Sequence, residues 1–122
     1  MNRRLMQWTL AAVFAGAVTM IAAQQQNFVL VNKAPVDIHE LYLSPAGKAT
    51  WGSDVLGAND ILKKGESMSI KFAHSATACV WDMKIIDEDK DAITWKDLNL
   101  CTCSEITVKD EGGNPTLACT KK

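Results

Sequence analysis

The stretch CVWDMKII, Cys79 to Ile86, sends Cys79, Trp81, Met83 and Ile85 to one face and Val80, Asp82 and Lys84 to the other. That is a period of two, the repeat of an extended strand with one buried face, and not the 3.6 of a helix. The same repeat appears on either side. Upstream, SMSIKF turns Met68, Ile70 and Phe72 inward and Ser67, Ser69 and Lys71 outward. Downstream, AITWKDLNL runs toward Cys101, EITVK points Ile106 and Val108 inward, and TLACT closes the chain. DEDKD (Asp87 to Asp91) and DEGGNP (Asp110 to Pro115) separate these runs as polar turns.

Nearer the amino terminus, NFVLVN (Asn27 to Asn32) is almost wholly apolar and reads as a strand buried on both faces, ended by Pro35. VDIHELYLS follows, with Asp37, His39, Leu41 and Leu43 on one side and Val36, Ile38, Glu40 and Tyr42 on the other. Pro45 and Gly47 stop it. The segment Asp54 to Ser67 is irregular and suits a short helical turn or two short strands. About seven short strands divided by turn signals predict an all-β chain, an antiparallel β-sandwich.

The first 23 residues read as a signal peptide. Asn2-Arg3-Arg4 is a positive start, Leu10 to Ala23 an apolar core, and Ala22-Ala23 precedes the polar run Gln24-Gln25-Gln26. Ile21, three residues before that bond, is larger than usual there. The uncharged run from Leu5 to Ala23 is also just long enough to anchor in a membrane. The small residues and glutamines at its end favour cleavage, by the general secretion route. Cleavage leaves a single domain, residues 24–122. In it 11 lysines face 14 carboxylates, a formal charge of −3. A chain with that balance and no basic cluster is not built for nucleic acid or for an anionic membrane surface.

The four cysteines, Cys79, Cys101, Cys103 and Cys119, all lie beyond the leader. An even number in an exported chain reads as two disulfides. Joining Cys101 to Cys103 would strain an extended strand. Of the two connectivities that remain, we favour Cys79–Cys101 with Cys103–Cys119.

Four groups of residues invite a chemical reading. Asp87, Asp89 and Asp91 begin like a calcium loop, but Ala92 stands where the turn glycine belongs and Leu98 where the twelfth-position glutamate belongs. Cys101 and Cys103, with His74 and Met83, resemble a soft-metal set, in competition with disulfide formation. Ser44, Ser53 and Ser75 and the histidines His39 and His74 are joined by no nucleophile signature, so no catalytic residue is assigned. The stretch LYLSPAGKATWGSDVLG, Leu41 to Gly57, offers Tyr42 and Trp51 as an aromatic platform and Asp54 as a polar anchor. Alternatively Trp51 is largely buried over an edge of the sandwich, and Asp54 binds loop backbone.

The chain also resembles a family of small secreted bacterial proteins. The residues that carry the resemblance are NFVLVNKAPVDIHELYLSP, WGSDVLG, LKKGESMSIKF, CVWDMKIIDED and LNLC. They follow the patterns N-x-T-G-x-x-I-x-x-L-Y-x-S-P, W-G-x-D-x-L-G, G-x-S, C-x-W-D and N-L-C. The resemblance marks Asn32, Leu41, Tyr42, Ser44, Pro45, Trp51, Gly52, Asp54, Leu56, Gly57, Gly65, Cys79, Trp81, Asp82 and Cys101. It supports joining Cys79 to Cys101 and leaves Cys103 and Cys119 as a local addition. Lys33-Ala34-Pro35 stands where the pattern usually has Thr-Gly, so the resemblance does not give the geometry of the first turn. Some members of the family carry an argininosuccinate lyase label. That enzyme is far longer and mainly helical and its signature is missing here, so no activity follows from the label.

Together these readings lead to a periplasmic or secreted, non-catalytic binding module, with no cofactor and with an unknown protein or envelope component as partner. A small calcium- or transition-metal-binding module is the alternative, and an enzyme the third.

Overall fold

The computed structural model describes residues 27–72 and 78–122. The leader 1–23, the new terminus at Gln24, His74 and Ser75 lie outside the described residues. Seven strands form: β1 (Phe28–Lys33), β2 (Ile38–Pro45), β3 (Ser67–Ile70), β4 (Val80–Asp87), β5 (Ala92–Asn99), β6 (Cys103–Glu111) and β7 (Asn114–Lys121). They make a four-stranded sheet in the order β3-β1-β6-β7 and a three-stranded sheet in the order β2-β4-β5. Among the described residues there is no helix. The irregular segment after Asp54 is a loop that runs beside β2 and forms a β-bridge with it between Ile38 and Leu62.

The core lies between the sheets. Phe28, Leu30, Ile70, Ile106 and Val108 come from one, and Leu41, Leu43, Trp81, Met83 and Ile85 from the other. Leu56, Leu62 and Leu100 enter from the connections and join the same core. Phe72 stands edge-on to Trp81, with ring centres 5.2 Å apart, and edge-on to Phe28 at 6.4 Å.

Three local expectations are corrected. The sheets are not wholly antiparallel, because β1 runs parallel to β6, with Leu30 opposite Ile106. Alternation looks the same in either direction, so it carries no sign of this pairing. In β2 a register shift between Ile38 and Glu40 changes the phase of the strand. Ile38 therefore joins Leu41 and Leu43 in the core, and not Glu40 and Tyr42 outside it. Strand β1 buries one face, through Phe28, Leu30 and Asn32, while Val29 and Val31 are only half-buried.

Asn32 explains the first turn. Its side-chain oxygen accepts from Ala34 N at 3.0 Å, and its amide donates to Val36 O at 2.9 Å and Leu62 O at 3.0 Å. A fully buried side chain thus bends the chain at Lys33-Ala34-Pro35 without the flexibility of a glycine.

The disulfides are Cys79–Cys101 and Cys103–Cys119, with Cα atoms 5.2 and 5.6 Å apart. Cys101-Thr102-Cys103 is where the chain passes from β5 in one sheet to β6 in the other. One bridge ties that crossover back to the start of β4, and the other ties it to β7. Each crossover anchor therefore holds a different sheet. With sequence separations of 22 and 16, each bridge is worth about 3 kcal/mol in the chain-entropy account. Two disulfides are compatible with an oxidising extracellular setting.

Candidate functional site

Strand β2 is an edge strand, and the loop after Trp51 lies along it. Val55 N donates to Leu41 O at 2.8 Å, and Ile38 and Leu62 exchange both backbone bonds at 2.9 Å. Asp54 completes this attachment: its Oδ1 accepts from Leu41 N and from Leu56 N, each at 3.0 Å. The loop covers an edge whose free N–H and C=O groups would otherwise invite another strand.

Gly57 closes the same loop with φ +106, and a Cβ there would lie 2.8 Å from Asp60 Oδ2. The backbone conformation favours glycine at this position, whereas the exposed Asp60 side chain could swing aside.

Other polar residues of the marked patterns act the same way. Buried Ser44 accepts from Thr50 N at 2.9 Å and donates to Pro45 O at 3.0 Å. Asp82, also buried, accepts from Gly47 N and Asp97 N, each at 3.0 Å. These bonds, that from Gly47 first, outweigh the cost of burial and hold the Asp82 carboxyl below its ordinary range. Asp97 takes a positive φ of 62° where β5 slips against β4, which turns its N–H toward Asp82. Trp81 donates its indole N–H to Ala78 O at 3.1 Å. The spaced polar residues are thus bound to backbone, and they fasten loops to strands.

Tyr42 and Trp51 stand apart from this pattern. Tyr42 pairs across the sheet with Lys84 of β4, on the face away from the core. The Lys84 ammonium lies 5.2 Å from the centre of the Tyr42 ring and 4.8 Å from that of Trp51. Trp51 is half-buried and lies outside the hydrophobic core. Its ring covers a lysine on the outer face of the three-stranded sheet. Both rings present the negative face of a π system to one cation.

The Tyr42 hydroxyl donates to Glu40 Oε1. That bond, then burial, then the charges of Glu40 and Asp54 raise the phenol from 10.0 to about 12. Glu40 and Asp54 also line an open groove of about 480 Å³ with His39, Asn59, Asp60 and Ile61. The fold thus brings Tyr42, Trp51 and Asp54 to one region and adds Glu40, Asp60 and Lys84, which sequence reasoning did not single out as site residues. Glu40 was within reach, two residues before Tyr42 on the same strand face. Lys84 becomes a partner of Trp51 only when the loop folds over β4.

No protein-family model matches the chain. No curated protein matches it either. Its fold is similar to an NMR structure of a protein from Eubacterium rectale. The likeness covers 86% of this chain and 97% of that one, with 11% identity and a TM-score of 0.50. At that identity the likeness extends to the fold alone.

The two other chemical readings meet different arrangements. All four cysteines are disulfide-bonded, so Cys101 and Cys103 offer no thiolate to a metal, and Met83 is fully buried in the core. Asp87, Asp89 and Asp91 do converge, with ligand atoms within 4.8 Å of one another. Asp87 Oδ1 accepts from Asp89 N and Asp91 N, each at 2.9 Å, so this carboxylate already organises the β4–β5 turn.

Proposed function

We propose that this chain is an exported, non-catalytic binding module, released into the periplasm or the medium after loss of residues 1–23. Its surface for a protein or envelope component is the groove beside Tyr42. The observation that supports this reading is the dual position of Glu40. The same carboxylate accepts the Tyr42 hydroxyl and lines the groove with Asp54 and Asp60, so Glu40 links the Tyr42 ring to the groove. Concave surfaces that mix an aromatic rim with a few placed polar groups are the usual form of a ligand site. The two disulfides and the edge-covering loop supply a rigid support.

The test is capture from an envelope extract with the purified protein as bait, compared with a Glu40→Gln/Asp60→Asn variant. The expected result is capture by the parent and its loss in the variant at unchanged thermal stability. Equal capture by both proteins would overturn the assignment of the groove.

A further inference from the structure

The Tyr42–Trp51 ring pair already holds a cation, and that cation belongs to the chain itself. Lys84 Nζ lies within about 6 Å of both ring centres, the range over which the ring quadrupole attracts an ammonium. A single aromatic beside a lysine is common on protein surfaces. Here two rings from different segments, one on β2 and one on the following loop, meet on the same nitrogen. The Tyr42 ring is also oriented, because its hydroxyl is held by Glu40.

The neighbouring groove carries the same preference independently. Glu40, Asp54 and Asp60 line it, and among the described residues no lysine or arginine does. Asp54 is fixed there by its two backbone bonds, so its charge does not swing away. A cationic ligand gains from the field of these carboxylates, whereas an anionic one must approach against it. A neutral sugar would have to stack on rings whose attractive faces are turned to Lys84. Lys84 itself is tethered by a flexible stem, and its backbone pairing with Tyr42 does not depend on where the ammonium rests.

We infer that the Tyr42–Trp51 pair is a recognition site for an organic cation, an alkylammonium or guanidinium group borne by the ligand of the groove, and that Lys84 is its resident competitor. The inference rests on the placement of the binding surface beside Tyr42. In the free protein Lys84 fills the rings, and a ligand cation binds by displacing it. The affinity of the parent for such a group is therefore lowered by the cost of moving Lys84 out.

The test uses tetramethylammonium as the cation and neopentyl alcohol as its neutral counterpart in shape, at constant ionic strength. Binding is followed by NMR at the Trp51 indole N–H. Two variants remove the competitor, Lys84→Met and Lys84→Gln, so the test survives if one of them fails to fold. Tetramethylammonium is expected to bind either variant about tenfold more tightly than the parent. It should also bind that variant about tenfold more tightly than neopentyl alcohol does, and adding Tyr42→Ala should abolish the shift. Equal binding by parent and variants, equal binding of alcohol and cation, or no shift in any protein would each overturn the inference. The titration needs no envelope partner. Groove-dependent capture without cation binding would leave the binding surface standing and remove only the cation.

Discussion

The carboxylate of Asp54 accepts the backbone N–H of Leu41 at 3.0 Å, across the edge of the three-stranded sheet. The same oxygen accepts Leu56 N at 3.0 Å, so one side chain closes the loop on itself and fastens it to β2. Asp54→Ala leaves both donors without this partner and should cost about 1–3 kcal/mol. Asp54→Asn keeps an oxygen in place and should cost less. Urea denaturation with the disulfides intact measures both, and an Asp54→Ala protein as stable as the parent would contradict the tether.

Trp51 should behave as the cover of a cation and not as a core aromatic. Trp51→Ala is expected to cost about 1–2 kcal/mol, short of the roughly 3–5 kcal/mol of a deleted core ring. A double-mutant cycle with Lys84→Met should return a coupling of about 0.5–1 kcal/mol. A coupling of zero would mean that the ring and the ammonium do not interact in solution.

Tyr42 is the sole tyrosine in the sequence, so ultraviolet titration reads it directly. Its phenol should ionise near 12, against an ordinary 10.0. Glu40→Ala should bring the midpoint down toward 10.0, because it removes both the hydrogen bond and a neighbouring charge. The folded state holds the phenol proton more tightly than the unfolded state. The stability this contributes is complete below pH 10 and is lost as pH rises through about 12. A midpoint at the ordinary value in the parent would show that the Glu40 bond does not persist.

Asp82 sets an effect of the opposite sign. Its folded carboxyl lies below the ordinary 3.8, so its contribution is complete above that value and disappears as pH falls through the folded one. Acid unfolding of Asp82→Asn should therefore be less steep with pH below about 4 than that of the parent. Denaturation midpoints measured from pH 5 down to pH 2 test this, and parallel curves for the two proteins would exclude the role.

The seven strands and their turns were legible because alternation is a local property, repeated at every second residue by the geometry of an extended chain. Of the three cysteine connectivities, strand geometry set aside only Cys101–Cys103, which an extended segment would strain. The choice between the other two leaned on the resemblance, and the fold decides it as Cys79–Cys101 with Cys103–Cys119. The ability of Asp54 to bind backbone was also readable from its residue type in a loop. Only the tertiary structure decided which backbone it would bind, that β1 would run parallel to β6, and that the bulge before Glu40 would move Ile38 into the core. It alone brought Lys84 of β4 under the rings of Tyr42 and Trp51 and set Glu40 beside Asp54 in one groove. Those contacts depend on how loops route strands between two sheets. Residues far apart in the chain become neighbours through that routing, and a repeat of two carries no record of it.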